Sequence, residues 1–209
     1  MVKKITYPTG LHVEGDITLT GNLPLMARAR HQQDTEQEYM IPWEAWRVWN
    51  AYGTNLPATP LTDDLGLVGG TFGTDSPSIQ TEDLKAAGAT TSYARACFQL
   101  PPEYDAGQTC KIRARGGMLT TVSDTTATVD FEVYESDDFA GIGSDLCTTA
   151  ATTINSLTEA NQDFTITETG LAAGDWLDIR MAVAVNDAAT GTEVKAQIGL
   201  VALLLDIRG

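Results

Sequence analysis

From residue 91 onward, hydrophobic and polar positions alternate with a period of two. In SYARACFQL, Ala94, Ala96, Phe98 and Leu100 share one face, and Tyr93, Arg95, Cys97 and Gln99 share the other. Pro101 and Pro102 end this run, because proline cannot donate to a strand ladder. QTCKIRARGGML sets Cys110, Ile112 and Ala114 against Thr109, Lys111, Arg113 and Arg115, and TATVDFEVY sets Ala127, Val129, Phe131 and Val133 against Thr128, Asp130, Glu132 and Tyr134. Weaker strands are predicted at 146–154 and 162–168, where Phe164 and Ile166 point the same way. DWLDIRMAVAVN then turns Leu177, Ile179, Met181, Val183 and Val185 inward, and EVKAQIGLVALLLDI ends as a long, increasingly apolar strand. One apolar and one polar face per strand marks antiparallel sheets packed face to face. Seven or eight strands in about 120 residues predict a mainly β fold, an antiparallel β-sandwich with jelly-roll-like connections over 91–209.

An internal echo accompanies this pattern. AGQTCKIR at 106–113 and AGDWLDIR at 173–180 each open a strand. They are either equivalent hairpins of the two sheets or a generic turn-plus-strand likeness, and the predicted architecture is the same in both cases.

The first 90 residues read differently. GLHVEGDITLTGNLPL carries short alternating runs, Leu11/Val13 and Ile17/Leu19, punctuated by Gly10, Gly15 and Gly21. Such strands are too short to stand alone and must pair with the chain's own body or with a neighbouring copy. After the polar stretch RARHQQDTEQEYM, IPWEAWRVWNAY spaces Trp43, Trp46 and Trp49 three apart behind Pro42. That spacing predicts one short helix with an aromatic stripe. Residues 1–60 are therefore expected to form an extended N-terminal arm for assembly and anchoring, and the Gly/Pro-rich residues 61–90 a loop or connector.

A chain of 209 residues is long enough to bury a core without metal or disulfide support. A net charge of −15 opposes contact with nucleic-acid phosphate or anionic lipid. The longest apolar stretch, Ile198 to Leu205, is far short of the roughly 20 residues that span a bilayer. No nucleic-acid or membrane partner is expected. MVKKITYPTG has no apolar run of signal-peptide length, so secretion by that route is not expected either. Cys97, Cys110 and Cys147 form no metal-type cluster and read as reduced thiols.

Catalytic chemistry finds no foothold. His12 and His31 have no nucleophile in a strained turn nearby, and no phosphate-binding glycine motif is present. Asp63/Asp64, Asp137/Asp138 and Asp145 have the chemistry of glycosidase carboxylates or calcium ligands, but in a chain with 28 acidic residues they read as solvated surface. Weak calcium binding at the 135–145 loop stays an open alternative. The expectation is a non-enzyme with no catalytic, cofactor-binding or metal-ligating residues. Trp43, Trp46 and Trp49 read as docking residues, with carbohydrate stacking as the alternative. Trp176 reads as a rim or core aromatic. Lys111, Arg113 and Arg115 form the one local positive face. They either pair across strands with Asp130 and Glu132 or meet an acidic partner surface. Ile17, Leu19, Leu23, Trp43, Trp46, Trp49, Arg113 and Arg115 are the candidate partner-interface residues.

The phrase LHVEGDITLTGNL resembles the glycine-punctuated segments, of the form V-x-G-D-I-T-V-T-G-N-L, of bacteriophage fibre and appendage proteins. FQLPPEYDAGQTCKIRARGGMLTTVSDTTATVDFEVYESD and LAAGDWLDIRMAVAVNDAATGTEV are similar to virion structural proteins of tailed phages and prophages. The resemblance implies a virion component: a capsid decoration or cement protein, a head fibre or a tail component. It also implies symmetric oligomers, a homotrimer favoured, that contact the major capsid protein or another virion protein. Assembly would take place in the cytoplasm of the host bacterium. A single copy of the short segment argues for a compact attachment arm over a long shaft. The alternative is a tail or receptor-binding appendage protein with a carbohydrate-binding β-sandwich.

Overall fold

The computed structural model describes residues 35–85, 87–136, 143–188 and 192–207. Among the described residues ten strands make two antiparallel sheets: β1 Thr35–Met40, β2 Gly66–Val68, β3 Ser78–Gln80, β4 Gly88–Gln99, β5 Cys110–Met118, β6 Thr126–Glu135, β7 Thr152–Thr153, β8 Ala160–Thr165, β9 Trp176–Asp187 and β10 Ala196–Ile207. Sheet A runs β2-β3-β10-β5-β8, with β1 also on β10, and sheet B runs β4-β9-β6-β7. The pairs β3/β10, β4/β9, β5/β8 and β6/β7 are nested, so β3 to β10 is one long hairpin rolled onto itself. That is the jelly-roll arrangement of a double-sheet sandwich.

The period of two decides which residues fill the space between the sheets. Ala94, Ala96, Leu100, Cys110, Ile112, Ala114, Ala127, Val129, Phe131 and Val133 are all buried, as are Leu177 to Val185 at every second position. Phe98 is partly buried against the same core. Phe131 of sheet B meets Phe164 of sheet A edge to face, with ring centroids 4.9 Å apart. The predicted sandwich and its inward residues are therefore observed. The 106–113 and 173–180 echo has a structural counterpart. Gly107 (φ 74°) and Gly174 (φ 98°) both adopt the left-handed conformation that glycine tolerates, and each turn launches a long inner strand, β5 in one sheet and β9 in the other.

Residues 35–60 do not form an arm. β1 adds to the edge of β10 in continuous register from Thr35↔Ile207 to Met40↔Ala202, and Ile41, Trp46 and Leu56 are core residues. Ile17, Leu19 and Leu23, with the glycine-punctuated runs around them, lie outside the described residues. The expected connector at 61–90 contains β2, β3 and the start of β4, so proline and glycine there punctuate short strands rather than exclude them. The weaker strand at 146–154 shrinks to Thr152–Thr153, and the one at 162–168 is Ala160–Thr165.

The tryptophan helix is a single 3-10 turn, Trp43–Ala45. Trp46 follows it in extended conformation (φ −77°, ψ 136°), and Arg47 exchanges both backbone hydrogen bonds with Arg95, at 2.8 and 3.0 Å. Pairing to β4 competes with helical hydrogen bonding and wins, since it also drops the Trp46 indole into the core, where the residue is 1% exposed. Trp46→Ala should lower unfolding free energy by about 3–5 kcal/mol, the usual cost of emptying a buried large aromatic site. Denaturant titration followed by fluorescence checks this, and a loss under about 1 kcal/mol would mean that the site collapses to fill itself.

Candidate functional site

The outer face of sheet B carries the candidate site. Because side chains alternate, the residues of β4, β9 and β6 that do not enter the core stand in rows across three strands. The register gives Tyr93, Ala182 and Asp130 in one row, Arg95, Arg180 and Glu132 in the next, and Cys97, Asp178 and Tyr134 in a third. Gln99 and Trp176 begin a fourth. Arg95, Arg180 and Glu132 of the second row, with Asp178 and Tyr134 of the third, border a trough. Trp49 and Asn50 close one side. They belong to the loop that Arg47 pins to the edge of β4 and that Val48 N–H to the Thr54 carbonyl, 3.0 Å, folds back. The resulting groove has a volume of about 490 Å³ and is lined by Trp49, Asn50, Arg95, Glu132, Tyr134, Asp178 and Arg180.

Two guanidinium groups directly opposite each other, Arg95 and Arg180, repel unless each is compensated. Arg95 donates from Nε to Asp178 Oδ1 at 2.7 Å and from Nη2 to Oδ2, a two-pronged pair. Arg180 donates from Nη2 to Glu132 Oε1. Asp178 is only 6% exposed, so its carboxylate depends on Arg95 for compensation. The hydrogen bond to Asp178 holds the Arg95 pKa above its ordinary value.

Aromatic rings lie against the same cations. The Arg180 guanidinium carbon is 5.1 Å from the Tyr93 ring centroid and 5.6 Å from that of Trp49, and Arg95 lies 5.1 Å from Tyr52. Trp49 and Tyr93 are themselves in contact, with centroids 5.1 Å apart. Partial burial and its hydrogen bond with Cys97 push the Tyr52 hydroxyl up to about 12. Burial also raises the Cys97 thiol and the Asp130 carboxyl. Trp176 is 46% exposed on the outer face of β9, four residues before Arg180 and hence roughly 13 Å along the strand.

Of the expected interface residues that are described, only Trp49 lines this groove. Trp46 is core, and Trp43 is partly buried against the core. Arg113 and Arg115 lie on the other sheet, where Arg113 forms a two-pronged pair with Asp163 at 2.7 Å for both contacts, and Arg115 meets Glu159 at 3.2 Å. Lys111 reaches Glu36 at 3.6 Å. Cross-strand pairing is the correct kind of explanation for this basic face, but the partners are not Asp130 and Glu132. Those two sit on sheet B, and the neighbours of β5 are β8 and β10. Sequence reading did not single out Arg95, Glu132, Tyr134, Asp178 and Arg180 as one site. Their signal was the recurrence of charge and ring on the polar faces of three strands, which becomes a site only once those strands adjoin.

Among the described residues no group of three or more His, Cys, Asp or Glu is placed to hold a metal ion. The cavity of about 550 Å³ beside β2 and β3 is lined by Ser78, Gln80, Gln197 and others, with no aromatic ring. The three cysteines are free, and burial pushes the Cys110 thiol up to about 12.

The Arg113/Asp163 pair sets a pH dependence. Its hydrogen bond lowers the folded Asp163 pKa below 3.8, so the pair's stabilisation is complete above that value and is lost as pH falls below it. Asp163→Asn should narrow the gap in thermal midpoint between about pH 7 and about pH 3, as followed by circular dichroism. An unchanged gap would show that the pair contributes nothing in solution.

No protein-family model and no curated protein matches the chain. Solved structures do. A xylan-binding module, CBM15, matches over 84% of this chain and 100% of its own, with 11% identity and a TM-score of 0.43. The CBM22-1 xylan-binding domain of Paenibacillus barcinonensis Xyn10C matches over 70% and 83%, with 11% identity and a TM-score of 0.40. The K1 cleaved adhesin domain of Lys-gingipain from Porphyromonas gingivalis W83 matches over 81% and 97%, with 12% identity and a TM-score of 0.37. These values describe a loose likeness among β-sandwiches, and what those domains bind is a property of those domains.

Proposed function

We propose that the protein is a glycan-binding β-sandwich and that the groove on the outer face of sheet B is its binding site. The observation that carries this reading is the combination, in one open trough, of aromatic rings with side chains already locked in ion pairs. A sugar ring presents an apolar C–H face and a rim of hydroxyls. Such a ligand needs flat apolar surface for the first and paired donors and acceptors for the second. Trp49 and Tyr134 supply the surface, while Arg95, Asp178, Arg180 and Glu132 supply donors and acceptors whose geometry is set before the ligand arrives. The groove volume of about 490 Å³ and the exposed Trp176 farther along β9 suit a short oligosaccharide better than a single sugar.

The arrangement favours binding over hydrolysis. Glu132 and Asp178 are each engaged by a guanidinium, an arrangement that orients carboxylates and does not leave one free to deliver a proton. The sequence resemblance to tailed-phage virion proteins supports a tail or receptor-binding appendage as the setting. Labelling the protein in particles by immunoelectron microscopy tests that setting independently of the ligand.

Glycan-panel binding followed by calorimetry tests the function. Wild-type protein should bind members of the panel, and Trp49→Ala should weaken the best of them by at least about tenfold, or roughly 1.4 kcal/mol. The variant's thermal midpoint is measured alongside to confirm the fold. Trp176→Ala should weaken longer oligosaccharides more than short ones. An empty panel, or unchanged affinity in both variants, would overturn the reading.

A further inference from the structure

We infer that the groove selects uncharged oligosaccharides and rejects acidic ones, an inference that rests on the glycan-binding reading. Both guanidinium groups lining the trough have a carboxylate partner within the chain, Arg95 with Asp178 and Arg180 with Glu132. The four charges cancel within the groove. Aromatic rings hold both in place as well, since Arg180 lies over Tyr93 and Trp49, and Arg95 over Tyr52.

A uronate or sialate carboxylate would have to displace one of these partners. Displacing Asp178 strands a carboxylate that is 6% exposed, and displacing Glu132 leaves it beside Asp130, which stands on the same strand across from Ala182. Burial already raises the Asp130 pKa, so another unpaired negative charge beside it meets an environment that disfavours charge. The charge of Asp145, which accepts from the Val133 and Cys147 backbone N–H groups at 2.9 Å each, also acts on Asp130. The net charge of −15 repels acidic polymers at longer range.

A hydroxyl makes no such demand. It can accept from a guanidinium N–H not used in the ion pair, and donate to a free lone pair of Asp178 or Glu132, with the pair intact. Vicinal hydroxyls match two neighbouring groups of opposite sign, which the row Arg95, Arg180, Glu132 presents side by side.

The test is calorimetric binding of two matched panels to the full chain. The neutral panel is cello-, xylo- and manno-oligosaccharides, and the acidic panel is oligogalacturonates and sialylated oligosaccharides. Neutral members should bind at least about tenfold tighter than acidic members of similar length. Their affinity should change less than about twofold between low and high salt, because no net charge is neutralised on binding. Glu132→Gln frees Arg180 and should raise acidic-panel affinity, with the thermal midpoint reporting that the fold persists. Preferential binding of acidic glycans by the wild type would overturn this inference and leave the glycan-binding reading standing. The absence of any rise in Glu132→Gln would overturn the role given to the ion pair. No binding to either panel would overturn both.

Discussion

Strand β9 is the constraint on which the rest of the structure depends. It is the central strand of sheet B, paired for its whole length with β4 on one side and for most of it with β6 on the other. Because its side chains alternate, one set of residues cannot move without the other. Leu177, Ile179, Met181, Val183 and Val185 must face sheet A to close the core, and this obliges Asp178 and Arg180 to face outward, where they line the groove. A one-residue slip of β9 would put Asp178 and Arg180 into the apolar interior and five large apolar side chains into water. The hydrophobic register therefore positions the polar site, and the site needs no separate scaffold.

The charged residues on the two outer faces answer different problems. On sheet A, Lys111, Arg113 and Arg115 project from one strand and are matched by Glu36, Asp163 and Glu159 from its surroundings. These pairs are partly solvated and worth little individually. Their aliphatic stems stand in register with Ala202 and Leu204, which are buried although they point away from the sandwich interior. On sheet B one pair runs deeper, Arg95 with the nearly buried Asp178, and aromatic rings lie against both guanidinium groups. An ion pair fixed by rings and by a nearly buried carboxylate is rigid, and rigidity in a groove is what a polar ligand rewards.

The edge of β4 shows how one solution serves two ends. An open strand edge invites unwanted pairing. Here two segments cover it: Arg47 exchanges hydrogen bonds with Arg95, while the Asp63 carbonyl and the Leu65 N–H bond Tyr93 at 3.0 Å each. The first of these segments also carries Trp49 to the outer face and Trp46 to the core. Covering the edge and walling the groove are thus a single event, and both follow from the chain leaving helical conformation at Trp46.

The amino-acid sequence by itself determined the β class, the inward residues of β4, β5, β6 and β9, the long apolar character of β10, and the opening of β5 and β9 by turn segments that contain glycine. Alternation is a local property of a pleated backbone, so it is written in neighbouring residues and can be read from them. Only the tertiary structure decided that Trp46 is buried while Trp49 faces out, that β1 and the 41–60 segment belong to the sandwich, and that Arg95 meets Asp178 across 83 residues of chain. Those outcomes depend on which strands adjoin and in what register. A spacing of three predicted a helical stripe at Trp43, Trp46 and Trp49, but long-range pairing to β4 outweighed that local preference. Partner choice for Arg113 and Arg115 eluded the sequence for the same reason, because opposite charges on two polar faces say nothing about which faces share a sheet.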